Sequence, residues 1–538
     1  MTVCGLQLSA PAATWNTKTN CGATGNGSTD DTAAINTCIG HLHSGDTLEF
    51  PAGTYLVSSQ LTISISNVTI DGSNNTATIL SNVSGNAALF VISNNGGSNN
   101  PSVGSVIALS TTANELATSF TTTSSLGVST GDYVILMQGG VDSSEGSSAT
   151  QCDPAGCRGE ILQVASVAGN TVTVTTALHD TYNSSVNGAT AQKLLNPLSN
   201  ITVQNITFNG GGAIYYGFML VGVVNSTISG VTATNAAGAA IYAQGGFNNT
   251  WNKITVTGAG SENCGAAVTM FDQGDVSINT MSVSGLNTTG PCLGDGAFGF
   301  AFGGSSAAPS VTNSVVNNLT VDSAGTNGGR PVKLDAARYN TFNSLTVENG
   351  CCGFNGMSFE YYSSHNVLNN CAITNNGGSG TNNGNGGVIF FGNYTQYNTL
   401  NNCTITGNGN VQVYASNYDT LRLGANDYLT VNGGTITGSN GAEPPLLISS
   451  ANAYIHNVTI SGPSGGAALQ LIAATANACV NDNSFIPGTN LSAAISAAGT
   501  GNMGSGNILN GLSSNLPEGS CGTSSAPTPP TGLSATVQ

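Results

Sequence analysis

Charge is what this sequence has least of. Only 6 % of its 538 residues are charged, and eight Lys and Arg stand against 25 Asp and Glu, for a net charge of -17. A chain so poor in cations lacks the basic surface that nucleic acid requires, and it has none for an anionic membrane. Long apolar runs are missing too, so no segment offers the ~20 apolar residues of a membrane-spanning helix. Its five histidines, His41, His43, His179, His365 and His456, show no metal-ligand spacing. No cofactor is expected, and nothing in the sequence supports a calcium ion. The opening Met1-Thr2-Val3-Cys4 has no apolar signal core, which reads as a mature secreted chain whose leader has been removed.

Glycine is abundant, with 73 residues, and 39 % of the chain is hydrophobic. Low charge with this much apolar content is the opposite of a disordered composition. Thirteen cysteines point to an oxidising compartment. Cys152 with Cys157 reads as a local loop clip, Cys264 could pair with Cys292, and Cys479 with Cys521 could tie down the C-terminal end. Cys371 and Cys403 fall on an inward-facing column and read as small buried hydrophobes.

The chain repeats itself. Val231, Ile254, Met281, Leu319, Leu345, Cys371 and Cys403 occupy one recurring position at intervals of about 20–40 residues, the signature of a solenoid. Ahead of them run an apolar row (Ile228, Trp251, Ile278, Val316, Phe342, Leu368, Leu400) and a polar row (Ser226, Asn249, Val276, Ser314, Asn340, Asn366, Asn398). The repeated Asn predicts an amide ladder in a turn, broken at Val276.

The N-terminal segment GATGNGSTDDTAAINTCIGHL carries Ser, Thr and Asp ahead of an apolar run, a helix start. A helix there would cover the open first coil. GATGNGSTDDTAAIN followed by FPAGTYLV resembles the opening of the pectate-lyase-like superfamily of right-handed parallel β-helices. The resemblance covers roughly residues 20–80, and the later coils fit the same fold. That group holds polysaccharide lyases, glycoside hydrolases including relatives of family 28, alginate epimerases and phage tailspikes. The motif is specific for fold and weak for reaction. Within it, Asp30 and Asp31 read as helix-capping and loop residues.

The expected architecture is all-β, a right-handed parallel β-helix solenoid with an N-terminal capping helix and a β-rich insert. Residues 1–60 form the cap and first strands, 61–99 the first coils, 100–197 the insert, 198–516 the main coils and closure, and 517–538 a Pro/Thr-rich tail.

Side chains alternate along a strand. Aligning the last strand of each coil places Tyr242, Thr269, Gly299, Lys333, Ser358, Ile389 and Gln412 in one outward row. A second row holds Gln244, Phe271, Ala301, Asp335, Glu360, Phe391 and Tyr414. Asp335 and Glu360 become stacked neighbours ~5 Å apart, with Lys333 on the same face. Paired carboxylates push their pKa values apart and suit acid–base work on a glycosidic bond. Arg330, Lys333 and Arg338 concentrate three of the eight basic residues here. A lyase or epimerase acting on a uronate polymer would use such cations to neutralise the sugar carboxylate. Phe271, Tyr361, Tyr362, Phe391 and Tyr414 read as sugar-stacking aromatics, and His365 as a proton-transfer candidate. Long loops at the same end would wall a groove, with Glu262, Asp272 and Asp295 in or beside it.

The expectation is a secreted polysaccharide-processing enzyme, a glycoside hydrolase using Asp335 and Glu360 tuned by Lys333. The alternatives are a uronate lyase or epimerase, and a non-catalytic glycan-binding adhesin or fibre. Its partner would be a polysaccharide, and the chain a monomer or homotrimer.

Overall fold

The structure, a computed structural model, describes residues 11–138, 158–185, 188–260, 266–286, 298–303, 310–323, 331–350, 355–360, 363–376, 386–391, 395–409, 411–415, 428–438, 444–449, 451–462, 466–472 and 475–521. It is a right-handed parallel β-helix. In a typical coil two short strands are separated by one residue in the left-handed region, and a third strand lies across the core. Val315–Asn317 and Leu319–Asp322 flank Asn318 at φ 50°, and Val332–Asp335 is the third strand. The bend position takes Asn318, Asn370, Asn402 and Asn457, all at positive φ, because a short amide side chain tolerates that backbone.

Each strand pairs with the same strand of the next coil. The expected apolar row is in register from Ile228 to Leu400, and every member is buried. One continuous core runs from Ile35 in the cap to Ile495 near the C-terminal end. Such burial, worth ~1.5–3 kcal/mol per large apolar side chain, is spread along the whole axis.

The expected amide ladder is present. Asn340 N and Nδ2 both donate to Asn366 Oδ1, and Asn366 repeats this to Asn398 Oδ1. At the break, Val276 N donates to Ser314 Oγ instead. Two further ladders stand beside it: Asn317–Asn343–Asn369–Asn401–Asn432 and Asn376–Asn408–Gln412.

The helix Thr32–His41 turns Ile35 and Cys38 into the core at the N-terminal end. Asp31 occupies its N-cap position, but its carboxylate accepts from Thr24 N and Gly25 N, while Asp30 accepts from Thr32 N. Both are loop-building residues.

Before the main coils the chain leaves the solenoid. Six strands between Ile107 and Leu194 form a separate antiparallel sheet, while Gly85–Ile92 pairs directly with Ile214–Val221 across the gap. Tyr133, Ile135, Met137 and Ile161 of that sheet bury against Val224 and Phe247 of the solenoid.

Disulfides join Cys21 to Cys38, Cys371 to Cys403 and Cys479 to Cys521. The last fits the expectation. Cys371 and Cys403 are inward and buried as expected, but they are not free thiols. Parallel register places them on adjacent coils with Cα atoms 4.4 Å apart, within bonding reach. Cys152, Cys157, Cys264 and Cys292 lie outside the described residues.

Candidate functional site

The third strands form one long parallel sheet, and its outer face carries the candidate site. Register is as expected from Ile241–Phe247 to Ala266–Gly274, where Tyr242 faces Thr269 and Gln244 faces Phe271. Two later joints differ. Thr269 pairs with Ala301 and Phe271 with Gly303, so Gly299 and Ala301 are not the row members assigned above. Ile389 pairs with Tyr414, so Tyr414 joins the Lys333 row and Gln412 leaves it. Both errors are slips of two residues. Side-chain direction has period two, so a slip of two preserves which residues face outward.

The expected stacking of Asp335 on Glu360, with Lys333 on the same strand, is therefore present. Ala301 pairs with Lys333 and Gly303 with Asp335; Lys333 then pairs with Ser358 and Asp335 with Glu360. Lys333 Nζ bridges the two carboxylates, 3.1 Å from Asp335 Oδ2 and 3.2 Å from Glu360 Oε2. Ser358 Oγ donates to Glu360 Oε1 at 2.8 Å. Gly303 leaves room for this arrangement, because a Cβ there would sit 2.1 Å from the Asp335 carbonyl oxygen.

The two carboxylates differ. The Glu360 side chain is 5 % exposed and that of Asp335 is 31 % exposed. Burial still pushes the Asp335 carboxyl above the usual aspartate range; Lys333 pulls against that shift and Glu360 adds to it. Burial also works against the Lys333 ammonium, but Asp335 and Glu360 outweigh it and hold its pKa above that of a free lysine.

Lys333 and Asp335 close one end of a cavity of about 430 Å³. Its walls are Tyr215, Tyr216, Tyr242, Phe271 and Phe298, with Asn99, Asn100, Gln244 and Thr269 supplying polar groups. Lys333 Nζ lies 5.2 Å from the Phe298 ring centre. A second cavity of about 460 Å³ shares Asn99, Tyr215 and Tyr216 with it and reaches Gln60 and Asn86. Together they make a trough along the helix axis, on the N-terminal side of the carboxylates.

Phe271 lines the trough as expected. Asp272 does not. It is fully buried, at φ 55°, and accepts from Gln244 Nε2 at 2.7 Å, so it orients Gln244 from beneath and cannot meet a sugar itself.

Arg338 is not a substrate ligand either. Its side chain is 6 % exposed and gives two hydrogen bonds to Asp180 of the insert. It locks the insert to the solenoid, a use the sequence could not reveal because its partner is 158 residues away.

His365 stands in a stack of turn residues, between Tyr339 at 4.4 Å and Tyr397 at 4.7 Å, with Tyr428 beyond. All four have positive φ. Burial, aided by the Arg338 charge, pulls the His365 pKa down to about 4. This is an aromatic counterpart of the asparagine turns and not part of the trough.

Arg330, Tyr361, Tyr362, Glu262 and Asp295 lie outside the described residues. So do the side chains of Phe391 and Tyr414, although Phe391 pairs with Glu360 by its backbone.

Tyr215, Tyr216, Phe298, Asn99 and Asn100 were not anticipated as site residues. Extending the outward rows one coil upstream of AIYAQ reaches Met219 and Val221, whereas Tyr215 and Tyr216 lie earlier in the strand, beside a register irregularity that row alignment does not predict. Asn99 and Asn100 come from a loop with no periodicity.

Residues 15–269 match a family described as rhamnogalacturonase A/epimerase, pectate lyase-like. No curated protein matches the chain by sequence. Among solved structures, the tailspike protein gp49 from Pseudomonas phage LKA1 superposes with TM-score 0.62 at 17 % identity, covering 90 % of this chain and 83 % of that one. The tailspike gp61 of Pseudomonas phage phi297 gives TM-score 0.55 at 16 % identity over 92 % of this chain and 80 % of that one. The gp54 tailspike of Acinetobacter baumannii bacteriophage AP22, in complex with a capsular saccharide, gives 0.50 at 12 % identity, covering 92 % and 71 %. With the coil register and the capped first turn, these matches show a right-handed parallel β-helix whose residues 15–269 are similar to the pectate-lyase-like rhamnogalacturonase A/epimerase family.

Proposed function

We propose that this protein is a secreted polysaccharide-processing enzyme, a glycoside hydrolase with Asp335 as acid/base and Glu360 as nucleophile. The observation that carries the reading is one ammonium bridging two in-register carboxylates at the end of an aromatic trough. Asp335 lines the trough, is the more exposed of the two, and is held toward its protonated form by burial. A carboxylic acid so placed can protonate a leaving glycosidic oxygen. Glu360, fixed by Lys333 and Ser358, presents the second carboxylate to the anomeric carbon.

Because both carboxylates touch one nitrogen, at 3.1 and 3.2 Å, their bonded oxygens fall short of the ~6.5–9.5 Å separation of inverting enzymes and are compatible with the ~5–5.5 Å of retaining ones. A retained anomeric configuration is expected. β-Elimination on a uronate is less well supported: Lys333 has both carboxylates as partners, and Arg338 is committed to Asp180.

The test is product analysis on a polysaccharide panel. New reducing ends without an ultraviolet-absorbing unsaturated sugar fit the proposal, and Asp335→Asn and Glu360→Gln should each lower the rate about 100-fold or more. An unsaturated product, or full activity in both variants, would refute it.

A further inference from the structure

The trough also carries information about what enters it. We infer that its ligand is an uncharged glycan chain, lying along the helix axis over the rungs N-terminal to Asp335. This rests on the hydrolase reading for the position of the scissile bond, though not for the charge of the ligand.

The chain has eight Lys and Arg, and six are among the described residues. Lys18 donates to Ala52 O at the N-terminal end. Lys193 pairs with Asp132 within the insert, and Arg158 sits on an insert strand. Lys253 is at the bend between strands of the other sheet, and Arg338 is buried against Asp180. Only Lys333 of these six lines the trough, and two carboxylates already surround it.

A uronate polymer would bring one carboxylate per sugar into this space. It would meet Asp335 and no unpaired cation among the described lining residues. Excluding water from such a site makes like-charge repulsion costlier than in bulk, and the net charge of -17 would slow the approach of any polyanion. An uncharged chain meets neither obstacle. Ring faces can stack on Tyr216, Phe271 and Phe298, and hydroxyls can exchange hydrogen bonds with Asn99, Asn100 and Gln244. The lining residues span six consecutive rungs, from Gly85–Ile92 to Val332–Asp335. At ~4.8 Å per step this is about 24 Å, a length that holds an oligosaccharide and not a single sugar.

The experiment titrates Glu360→Gln, which keeps Lys333 and Asp335, with oligosaccharides of neutral glucan, galactan, mannan and xylan, and with oligogalacturonate and oligomannuronate. Calorimetry at low and high salt reads the affinity. The expected result is binding of at least one neutral series, unchanged by salt and weakened about tenfold by Tyr216→Ala or Phe271→Ala. Asn99→Lys, on an exposed loop, should fold normally and give measurable low-salt affinity for oligogalacturonate that the parent lacks. Salt-sensitive uronate binding by the wild type, in which Lys333 keeps both carboxylates, would overturn the inference, as would failure of every neutral series to bind. Wild-type product analysis separates the two proposals: a neutral glycan bound but never cut ends the hydrolase reading and leaves the ligand class standing, whereas a uronate cut to saturated reducing ends does the reverse.

Discussion

Lys333 sets the charge balance of the proposed site by pairing with both carboxylates. Removing its charge removes the one influence that lowers the Asp335 carboxyl, leaving burial and Glu360 to raise it further. A general acid works while protonated, so activity falls as pH rises through its pKa. Lys333→Met should therefore move the alkaline limb of the kcat/KM profile to higher pH while lowering the maximum; a limb that stays or moves down would contradict the assignment of Asp335 as acid. Arg338 is the opposite case, a charge spent on structure. Arg338→Met strands the buried Asp180 carboxylate, which typically costs ~3–5 kcal/mol. Thermal unfolding should show the loss, and adding Asp180→Asn should recover most of it without changing kcat. A catalytic arginine would instead lose kcat at unchanged stability.

At the scale of the coil, side-chain amides link neighbouring coils in register alongside the apolar core. Asn366 accepts from Asn340 N and Nδ2 and donates to Ala337 O and Asn398 Oδ1, all in buried surroundings. Asn366→Ala leaves these groups unpaired and should lower stability by ~1–3 kcal/mol, read from the thermal midpoint. Asn432→Ala, in the half-exposed ladder, should cost much less because water replaces the lost partner. The Asn366 row was readable beforehand because coils repeat and every residue type at a shared position answers the same geometry. The same regularity made Lys333, Asp335 and Glu360 legible as one cluster. Register could not be read through coils whose loops change length: AFGFAF alternates aromatics that fit equally well at Phe298 or Phe300, and only pairing with Val268 selects Phe300. Contacts between distant parts leave no periodic trace, as with Asp180 on Arg338 and the Asn99 carbonyl on Tyr242.

Across the molecule, a solenoid is coupled mainly between neighbouring coils, and the two terminal disulfides bound different functions. Cys21–Cys38 fastens the capping helix beside the coils that begin the trough at Gln60 and Asn86, while Cys479–Cys521 fastens coils far beyond Glu360. By the loop-entropy argument the two bonds constrain the unfolded chain by similar amounts, roughly 3 and 4 kcal/mol, yet their loss should differ in consequence. In Cys479→Ser/Cys521→Ser, amide exchange should accelerate within residues 476–521 and leave catalysis within about twofold, because fraying stops at the next intact coils. In Cys21→Ser/Cys38→Ser, exchange should accelerate from the helix Thr32–His41 into the first coils, and glycan affinity should fall with it as the far wall of the trough loosens. Uniform loss of protection along the whole axis in either variant would mean that the solenoid unfolds as one cooperative unit, and the separation of a working N-terminal half from a closing C-terminal end would be lost.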